Sequence, residues 1–247
     1  MEAADIKGLL GLLLVDGSLS QYRTPQGGYV QLVLTGGISE SAFLEEKVAE
    51  FRQFIPTKAQ IVPYQTKARY TTMPNKQGVV DEGPRHTTVL RFRVSTNKLR
   101  PIYNLLYPEG ERQITQNVLD LLGASAAAWV WAEGAKLNSD GSVTLARVGT
   151  TDLESYLISG WFKLLTGSSS TEELDNNKAR PRLLFSPEAA KQAAAALLPY
   201  APKSRLHKFT FAQGLSHDRS ADQGSAFVLS GQREHEYSRE QKEASVA

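Results

Sequence analysis

The sequence contains no cysteine among its 247 residues. This absence excludes disulfide bonds, thiolate metal sites and cysteine nucleophiles. The four histidines show no metal-ligand spacing, and no GxSxG, P-loop or GxGxxG pattern occurs. None of these common enzyme chemistries therefore has a local motif in this chain.

Long apolar runs are also missing. The uncharged stretch over residues 121–132 is shorter than the roughly 20 apolar residues that a membrane-spanning helix needs. The first five residues include two acids and do not resemble a basic secretory leader. We expect a soluble, intracellular protein, in a compartment that the sequence does not specify.

Neither sign of charge is in large excess, since the formal net charge is only +2. Its distribution is nevertheless uneven. Residues 52–112 contain 11 Lys or Arg against 4 Asp or Glu, residues 178–219 contain 8 against 2, and the remaining segments are acidic. Such segregation is typical of a polyanion-binding face on an acidic body. The alternative is that both clusters are ordinary solvated faces.

Two apolar stretches each end in a single carboxylate followed by glycine. The first, residues 9–17, reads LLGLLLVDG, and the second, residues 126–134, reads AAAWVWAEG. We predict short buried helices that end near Asp16 and Glu133, where the helix dipole disfavours a negative charge by about 0.3–1 kcal/mol. If these helices pack side by side, the two carboxylates meet, and a raised pKa or a cation has to relieve their repulsion. The alternative is that both acids simply mark helix ends in an apolar core.

The two stretches resemble the LAGLIDADG motif of homing endonucleases and of the related intron maturases. The matching positions are Gly11, Asp16, Gly17, Ala128, Glu133 and Gly134. Two further segments are similar to family segments: residues 105–114, LLYPEGERQI, which precede the second motif, and residues 200–209, YAPKSRLHKF, which close the fold. In both segments the family has a basic residue near its metal site, and the matching residues here are Arg112 and Lys208.

The resemblance implies an α+β fold in which an αββαββα unit is duplicated about a pseudo-twofold axis. Two antiparallel sheets would form a DNA-binding saddle over the major groove. The halves would be residues 1–115 and 116–212, followed by a polar, flexible tail over residues 213–247. The order of helix and strand patterns supports the duplication, because it occurs twice with the two acids 117 positions apart.

Periodicity and turn residues predict the individual elements of each half. In the first half we expect strands at residues 28–35, 67–72 and 87–95, and helices at residues 40–55, 99–106 and 114–122. In the second half we expect a hairpin at 135–148 with a type I′ turn at Asp140-Gly141. A helix at 152–165, with Asp152 as its N-cap, should follow. The remaining predicted elements are a polar loop at 168–177, a strand at 182–185, a helix at 187–198 and a last strand at 208–211.

The resemblance also implies which residues form the active site and the DNA-binding surface. The residues expected to act in catalysis are Asp16, Glu133, Arg112 and Lys208. The expected ligands of a Mg²⁺ or Mn²⁺ ion are Asp16, Glu133 and the backbone at Val15 and Ala132. The strand residues most suited to contact DNA are Gln31, Lys67, Arg69, Arg91, Arg93, Arg147, Arg180 and Arg182.

The leading interpretation is a monomeric, site-specific endonuclease that hydrolyses both strands of a long DNA target with the help of divalent metal ions. Two alternatives remain open at this point. A maturase would bind intron RNA and assist splicing on the same scaffold. A catalytically inactive DNA-binding protein would keep the basic saddle and lose the dependence on metal. Glu133 in place of aspartate does not separate these possibilities, because glutamate also binds metal.

Overall fold

The computed structural model describes residues 3–14, 16–25, 27–66, 69–70, 84–85, 87–146, 151–174 and 181–211. All structural statements below concern these residues. The expected tail at 213–247 lies outside the described residues. None of the helices in the described part of the chain is long and apolar enough to cross a membrane.

The first half begins with the motif helix. Its elements are, in chain order, α1 (Ala3–Leu13), β1 (Ser18–Thr24), β2 (Gly27–Gly36), α2 (Ser41–Phe54), β3 (Ile61–Gln65), β4 (Arg69–Tyr70), β5 (Pro84–Arg85), β6 (Thr88–Thr96) and α3 (Arg100–Leu106). In β2 the alternate residues Val30, Leu32 and Leu34 are buried, as expected for a strand with one face on the core.

The second half repeats this order after a short connecting helix. Its elements are α4 (Gln116–Asp120), α5 (Ala124–Gly134), β7 (Ala135–Leu137), β8 (Val143–Leu145), α6 (Asp152–Thr166), β9 (Thr171–Leu174), β10 (Pro181–Phe185), α7 (Pro187–Leu197) and α8 (His207–Thr210). The second motif helix, α5, is apolar along its whole length, and its buried residues include Ala127, Ala128 and Trp131.

Each half builds one four-stranded antiparallel sheet, and the two sheets have the same topology. The strand orders are β1-β2-β6-β3 and β7-β8-β10-β9. In both sheets the last strand of the half lies between the second and the third, and one helix, α2 or α6, connects the second strand to the third. The duplicated αββαββα fold is therefore confirmed. Strands β4 and β5 pair separately.

The two motif helices pack directly against each other where the halves meet. A Cβ atom added to Gly11 of α1 would lie 2.7 Å from the Cβ of Ala126 in α5, so the close approach requires glycine at this position. Trp129 of α5 packs on Phe43 of the first half, with 5.9 Å between the ring centroids. The buried side chains of both halves form one continuous core.

Two predictions about helices in the second half are wrong. The N-cap of α6 is Thr151 and not Asp152, because Thr151 forms a capping box with Glu154. Residues 207–210 form the short helix α8 instead of a strand. Four residues are too few for an alternating pattern to distinguish a strand from one helical turn.

The predicted turn of the β7–β8 hairpin is also wrong. The Gly141 N–H donates to the Asn138 carbonyl at 3.1 Å, so the central residues of this turn are Ser139 and Asp140. A type I′ turn at Asp140-Gly141 would have placed those two residues at its centre. The connection between the paired strands is five residues long, and longer hairpin loops are most often built around a different turn type.

Four strands were not predicted. One of them is the two-residue strand β5 (Pro84–Arg85). β1 (SLSQYRT) and β9 (TEEL) are edge strands of polar composition, and a strand with only one neighbour needs little apolar sequence. The segment of β9 was expected to belong to a polar loop. β3 is an edge strand with a proline at Pro63, which weakens the sequence signal for a strand.

Candidate active site

Each motif acid lies at the same place in its half. Asp16 follows α1 and stands two residues before β1, whereas Glu133 belongs to the last turn of α5 and stands two residues before β7. Their side chains are 19% and 14% exposed. Both carboxylates are thus largely withdrawn from water, at the points where the two sheets begin.

The glycine after each acid meets a different local requirement. Gly17 has a φ of +82°, a left-handed conformation that lets the chain turn from α1 into β1. A Cβ atom at Gly134 would lie 2.3 Å from the carbonyl oxygen of Ala146. Its absence lets β8 approach closely enough for the Ala146 N–H to donate to the Gly134 carbonyl at 3.1 Å. The same acid-glycine pattern therefore has two physical causes.

Lys47 lies between the two acids and was not predicted as a site residue from the sequence. Its Nζ donates hydrogen bonds to the carboxylates of both Asp16 and Glu133, and the residue is only 4% exposed. A buried ammonium is strongly destabilising unless it is paired, and the two carboxylates provide the pairing. Lys47 in turn relieves the repulsion between the acids.

Helix α2 brings Lys47 to this position through its buried face. The other buried residues of that face are Phe43, Leu44, Val48 and Phe51, with the spacing of an amphipathic helix. The Lys47 ammonium lies 4.3 Å from the centroid of the Phe43 ring, which adds a cation–π contact. A lysine inside this apolar spacing was the available signal in the sequence, because lysine is rarely buried without a charged partner.

The closing segment, residues 200–209, ties α2 to the second half. Glu46 accepts hydrogen bonds from the backbone N–H groups of Lys203 at 2.7 Å and Ser204 at 3.0 Å. Burial opposes the ionisation of Glu46, but hydrogen bonds from the Ser204 hydroxyl and from both N–H groups hold its pKa below the ordinary value. Arg205 adds an ion pair with Glu40 at 2.5 Å. The helix that carries Lys47 is therefore held from both halves.

Arg112 lies against the backbone around the first motif acid. Its guanidinium donates to the carbonyl oxygen of Gly17 at 2.9 Å and to that of Leu13. These two carbonyls flank Asp16 in the chain, and the one at Leu13 belongs to the end of α1. Arg112 thus fixes the turn that presents Asp16 and neutralises part of the negative end of the helix dipole.

Lys208 approaches the same region from the closing segment. Its backbone carbonyl accepts a hydrogen bond from the Trp131 indole at 2.9 Å. Burial raises the pKa of Glu40, but the Arg205 ion pair, the Gly37 N–H and the charge of Lys208 together lower it. Glu40 lines a small pocket with Lys47 and Glu133.

Three DNA-binding candidates lie on the first sheet, on the face opposite the core. Gln31, Arg91 and Arg93 alternate with the core residues Leu32 and Phe92 along β2 and β6. Gln31 donates to the Ser95 hydroxyl at 3.0 Å, and the Arg91 guanidinium lies 3.6 Å from the centroid of the Tyr64 ring. The antiparallel register between β2 and β6 places these polar side chains on one surface.

The second sheet contributes one described candidate to the corresponding face. Arg182 in β10 stands between the buried residues Pro181 and Leu183, so its side chain points away from the core. Arg69 belongs to the short strand β4. The remaining candidates lie outside the described residues; they are Lys67, Arg147 and Arg180.

The donor set around the acids fits a divalent metal ion. Carboxylate oxygens are the ligands that Mg²⁺ prefers, and the ammonium of Lys47 is a stand-in cation that shows where positive charge is required. No cluster of three or more His, Asp or Glu occurs in the part of the chain that the structure describes. The resemblance to the family implies backbone ligands at Val15 and Ala132 as well. Ala132 is buried in α5 beside Glu133, and Val15 lies outside the described residues.

The duplicated fold and the paired motif acids define a protein of the homing endonuclease type. A model of the LAGLIDADG DNA endonuclease family matches residues 6–163 of the chain. That match covers well over half of the sequence, and the chain belongs to this family.

Two solved structures show the same fold at low sequence identity. The homing endonuclease I-WcaI bound to its DNA recognition sequence aligns with 12% identity over 84% of this chain and 86% of its own, with a TM-score of 0.60. Mesophilic variants of the homing endonuclease I-DmoI align with 14% identity over 84% of this chain and 98% of their own, with a TM-score of 0.51. A search of curated proteins finds no match.

Proposed function

We propose that the protein is a site-specific homing endonuclease that cuts both strands of duplex DNA at a long recognition site. One observation carries the proposal: Asp16 and Glu133 come from the two halves of a duplicated fold and converge on a single cation. We place the halves at residues 1–115 and 116–212. Membership of a DNA endonuclease family and the DNA-bound state of I-WcaI support duplex DNA as the partner.

The saddle surface would bind DNA through side chains of the two sheets and of the chain segments that adjoin their strands in sequence. We propose the following contacts: Gln31, Lys67, Arg69, Arg91, Arg93, Arg147, Arg180 and Arg182. A β-ribbon fits the major groove, where arginine pairs with guanine and glutamine with adenine through two hydrogen bonds each. Arg91 is held against Tyr64 before DNA arrives, which lowers the entropy that binding has to overcome.

In the active site we assign a different role to each charged residue. Asp16 and Glu133, with the backbone carbonyls at Val15 and Ala132, would hold a Mg²⁺ or Mn²⁺ ion. That ion would supply Lewis-acid stabilisation of charge at the scissile phosphate. Arg112 positions the Asp16 turn through the Gly17 carbonyl. Lys208 would place a positive charge beside the reacting phosphate.

A cleavage assay tests this function. The substrate is the genomic sequence on either side of the gene's insertion point, rejoined without the insert. We expect a double-strand cut in Mg²⁺ that is absent in Ca²⁺, and a loss of at least about a hundredfold in Asp16→Asn and in Glu133→Gln. The exposed loop variant Glu109→Gln serves as the matched control and should cut normally. A wild-type rate in either motif variant would overturn the assignment.

The Lys47 bridge favours one second candidate, a DNA-binding protein that does not cut. The two carboxylates already share a cation from the chain itself, the ammonium of Lys47. Under this candidate the wild type would bind the target with equal affinity in Mg²⁺ and in EDTA and would leave it intact. Specific binding without any cut would favour this function, and a splicing assay on the host intron would then test the maturase activity.

A further inference from the structure

We propose that Lys47 is a resident counter-ion that competes with a divalent metal ion for Asp16 and Glu133, so that metal enters the site only when the lysine leaves it. This inference rests on the proposed function, because it concerns the same metal site. It assigns to Lys47 a positioning and regulatory role that is separate from the catalytic role proposed for the acids.

The contact geometry makes the competition direct. Lys47 Nζ takes one oxygen from each carboxylate, Oδ2 of Asp16 and Oε2 of Glu133. Mg²⁺ bonds to carboxylate oxygens at about 2.0–2.1 Å in a near-octahedral arrangement. An ion bound between the two acids would therefore lie in contact with the ammonium, and two cations at that separation repel each other.

The surroundings of Lys47 hold its helix in place and bury the lysine side chain. The ammonium packs on the Phe43 ring, and α2 itself is held by the Glu46 contacts to Lys203 and Ser204. The helix is thus fixed, whereas the four-carbon stem of a lysine is flexible and carries a rotatable charge. In this proposal Lys47 withdraws through a change of rotamer while α2 stays in place.

The second half has no lysine at the equivalent position. The buried residues Phe43, Lys47 and Phe51 of α2 match Glu154, Ile158 and Phe162 of α6 at a constant offset of 111 positions. The residue that corresponds to Lys47 is therefore the apolar Ile158. Of these two equivalent positions, only the one in the first half provides an ammonium to the acid pair.

Metal titration without DNA tests the competition. Mn²⁺ binding is followed by electron paramagnetic resonance for the wild type, Lys47→Met, Lys47→Gln and Lys47→Arg, with the exposed-site variant Lys58→Met as control. We expect Lys47→Met and Lys47→Gln to bind Mn²⁺ at least about tenfold more tightly than the wild type, because the competing charge is gone. Lys47→Arg and Lys58→Met should bind as the wild type does.

A second measurement uses the unaltered protein and therefore does not depend on how the variants fold. Lysine acetylation with a small reagent, read by peptide mass spectrometry, should leave the buried Lys47 unmodified in EDTA and label it when Mn²⁺ is added. Labelling of the exposed Lys58 should not change. Protection of Lys47 in both conditions, despite measured Mn²⁺ binding, would overturn the inference.

The outcomes separate the inference from the proposed function. Equal Mn²⁺ affinity in the wild type and Lys47→Met, lost in Asp16→Asn, would overturn the competition and leave the metal site standing. No Mn²⁺ binding in Lys47→Met or Lys47→Gln would overturn both. Tight binding in those two variants that disappears when Asp16→Asn is added to them would support both.

Discussion

Helices α2 and α6 connect the second strand to the third in the two halves of the molecule. Four buried positions of α2 (43, 44, 47 and 51) correspond to four buried positions of α6 (154, 155, 158 and 162). Their polar residues differ. α2 carries Lys47, which joins the two motif acids, whereas α6 carries Glu154, which accepts the Ile114 N–H at 2.8 Å. The duplicated scaffold thus uses one helix to place a cation between the two motif acids and the other to fix the connection between the halves.

The difference shows that the apparent symmetry of the two motifs does not extend to their surroundings. Both acids stand two residues before a strand, yet the cation that they share comes from the first half alone. A buried charged residue has to be paired where it lies, so its partners are set by tertiary contacts. The symmetry of the backbone can therefore coexist with an asymmetric active site.

The largest effects on stability should come from truncating the central residues of α2 and α6. Lys47→Ala leaves two partly buried carboxylates facing each other and should lower the free energy of unfolding by about 3 kcal/mol. Ile158→Ala in α6 should lower it by about 2–5 kcal/mol through the cavity it creates. Urea unfolding in EDTA and in Mg²⁺ separates the causes, because only Lys47→Ala should recover stability in Mg²⁺. An equal response of both variants to the ion would contradict the account.

A smaller effect should come from the packing of the motif helices. Gly11→Ala in α1 pushes its Cβ to within 2.7 Å of Ala126 and should destabilise the protein by about 1–3 kcal/mol. Gly160→Ala in α6 is the matched control, since no atom lies within 4 Å of its added Cβ. That variant should be more stable by up to about 1 kcal/mol. Thermal unfolding of both proteins measures the difference, and equal shifts would argue against close packing at Gly11.

The N-cap residue of α6, Thr151, should contribute about 1 kcal/mol to the free energy of unfolding. Thr151 accepts the Glu154 N–H at 3.2 Å, and the Glu154 side chain accepts the Thr151 N–H at 3.2 Å. Thr151→Ala removes the first of these bonds, whereas Glu40, the N-cap of α2, forms no side-chain capping hydrogen bond. Leu153→Ala, at an exposed position of α6, should change stability by less than about 0.5 kcal/mol. Urea unfolding that ranked these two variants the other way round would exclude the capping role.

The smallest expected effect is on the loss of stability at acid pH, through the contacts by which Glu46 joins α2 to the closing segment. The pKa of Glu46 is lowered in the folded protein, so its stabilising contribution is present above its ordinary pKa of about 4.5 and is lost as the pH falls through the lower folded value. Glu46→Gln should therefore flatten the decline of stability at acid pH. Ser204→Ala, which removes one partner, should flatten it partly. Urea unfolding from pH 3 to pH 7 measures both slopes, and a wild-type slope in Glu46→Gln would contradict this role.

The fold could be predicted because its signals are local. The apolar runs before Asp16 and Glu133 mark the motif helices, and alternating residues such as Val30 and Leu32 mark a half-buried strand. The edge strands β1 and β9 were missed because their residues are mostly polar. Their pairing comes from the neighbouring strand and leaves no pattern in their own sequence.

The candidate site could be predicted only in part. The two acids were found because each stands in a motif of its own, and Arg112 because it lies within residues 105–114, which are similar to a family segment. Lys47 was missed because its two partners are distant in sequence. Asp16 lies 31 positions away and Glu133 lies 86 positions away. The face on which Gln31 and Arg91 lie likewise depends on strand register, which the sequence does not define.

The most direct test of the central claim is a double-mutant cycle on DNA cleavage between Asp16→Asn and Glu133→Gln. If the two acids form one site around one cation, each variant alone should lose nearly all double-strand cutting, and the double variant should be no slower than either. Losses that multiply, or a variant that still cuts one strand at the wild-type rate, would show that the acids act in separate sites and would contradict the account.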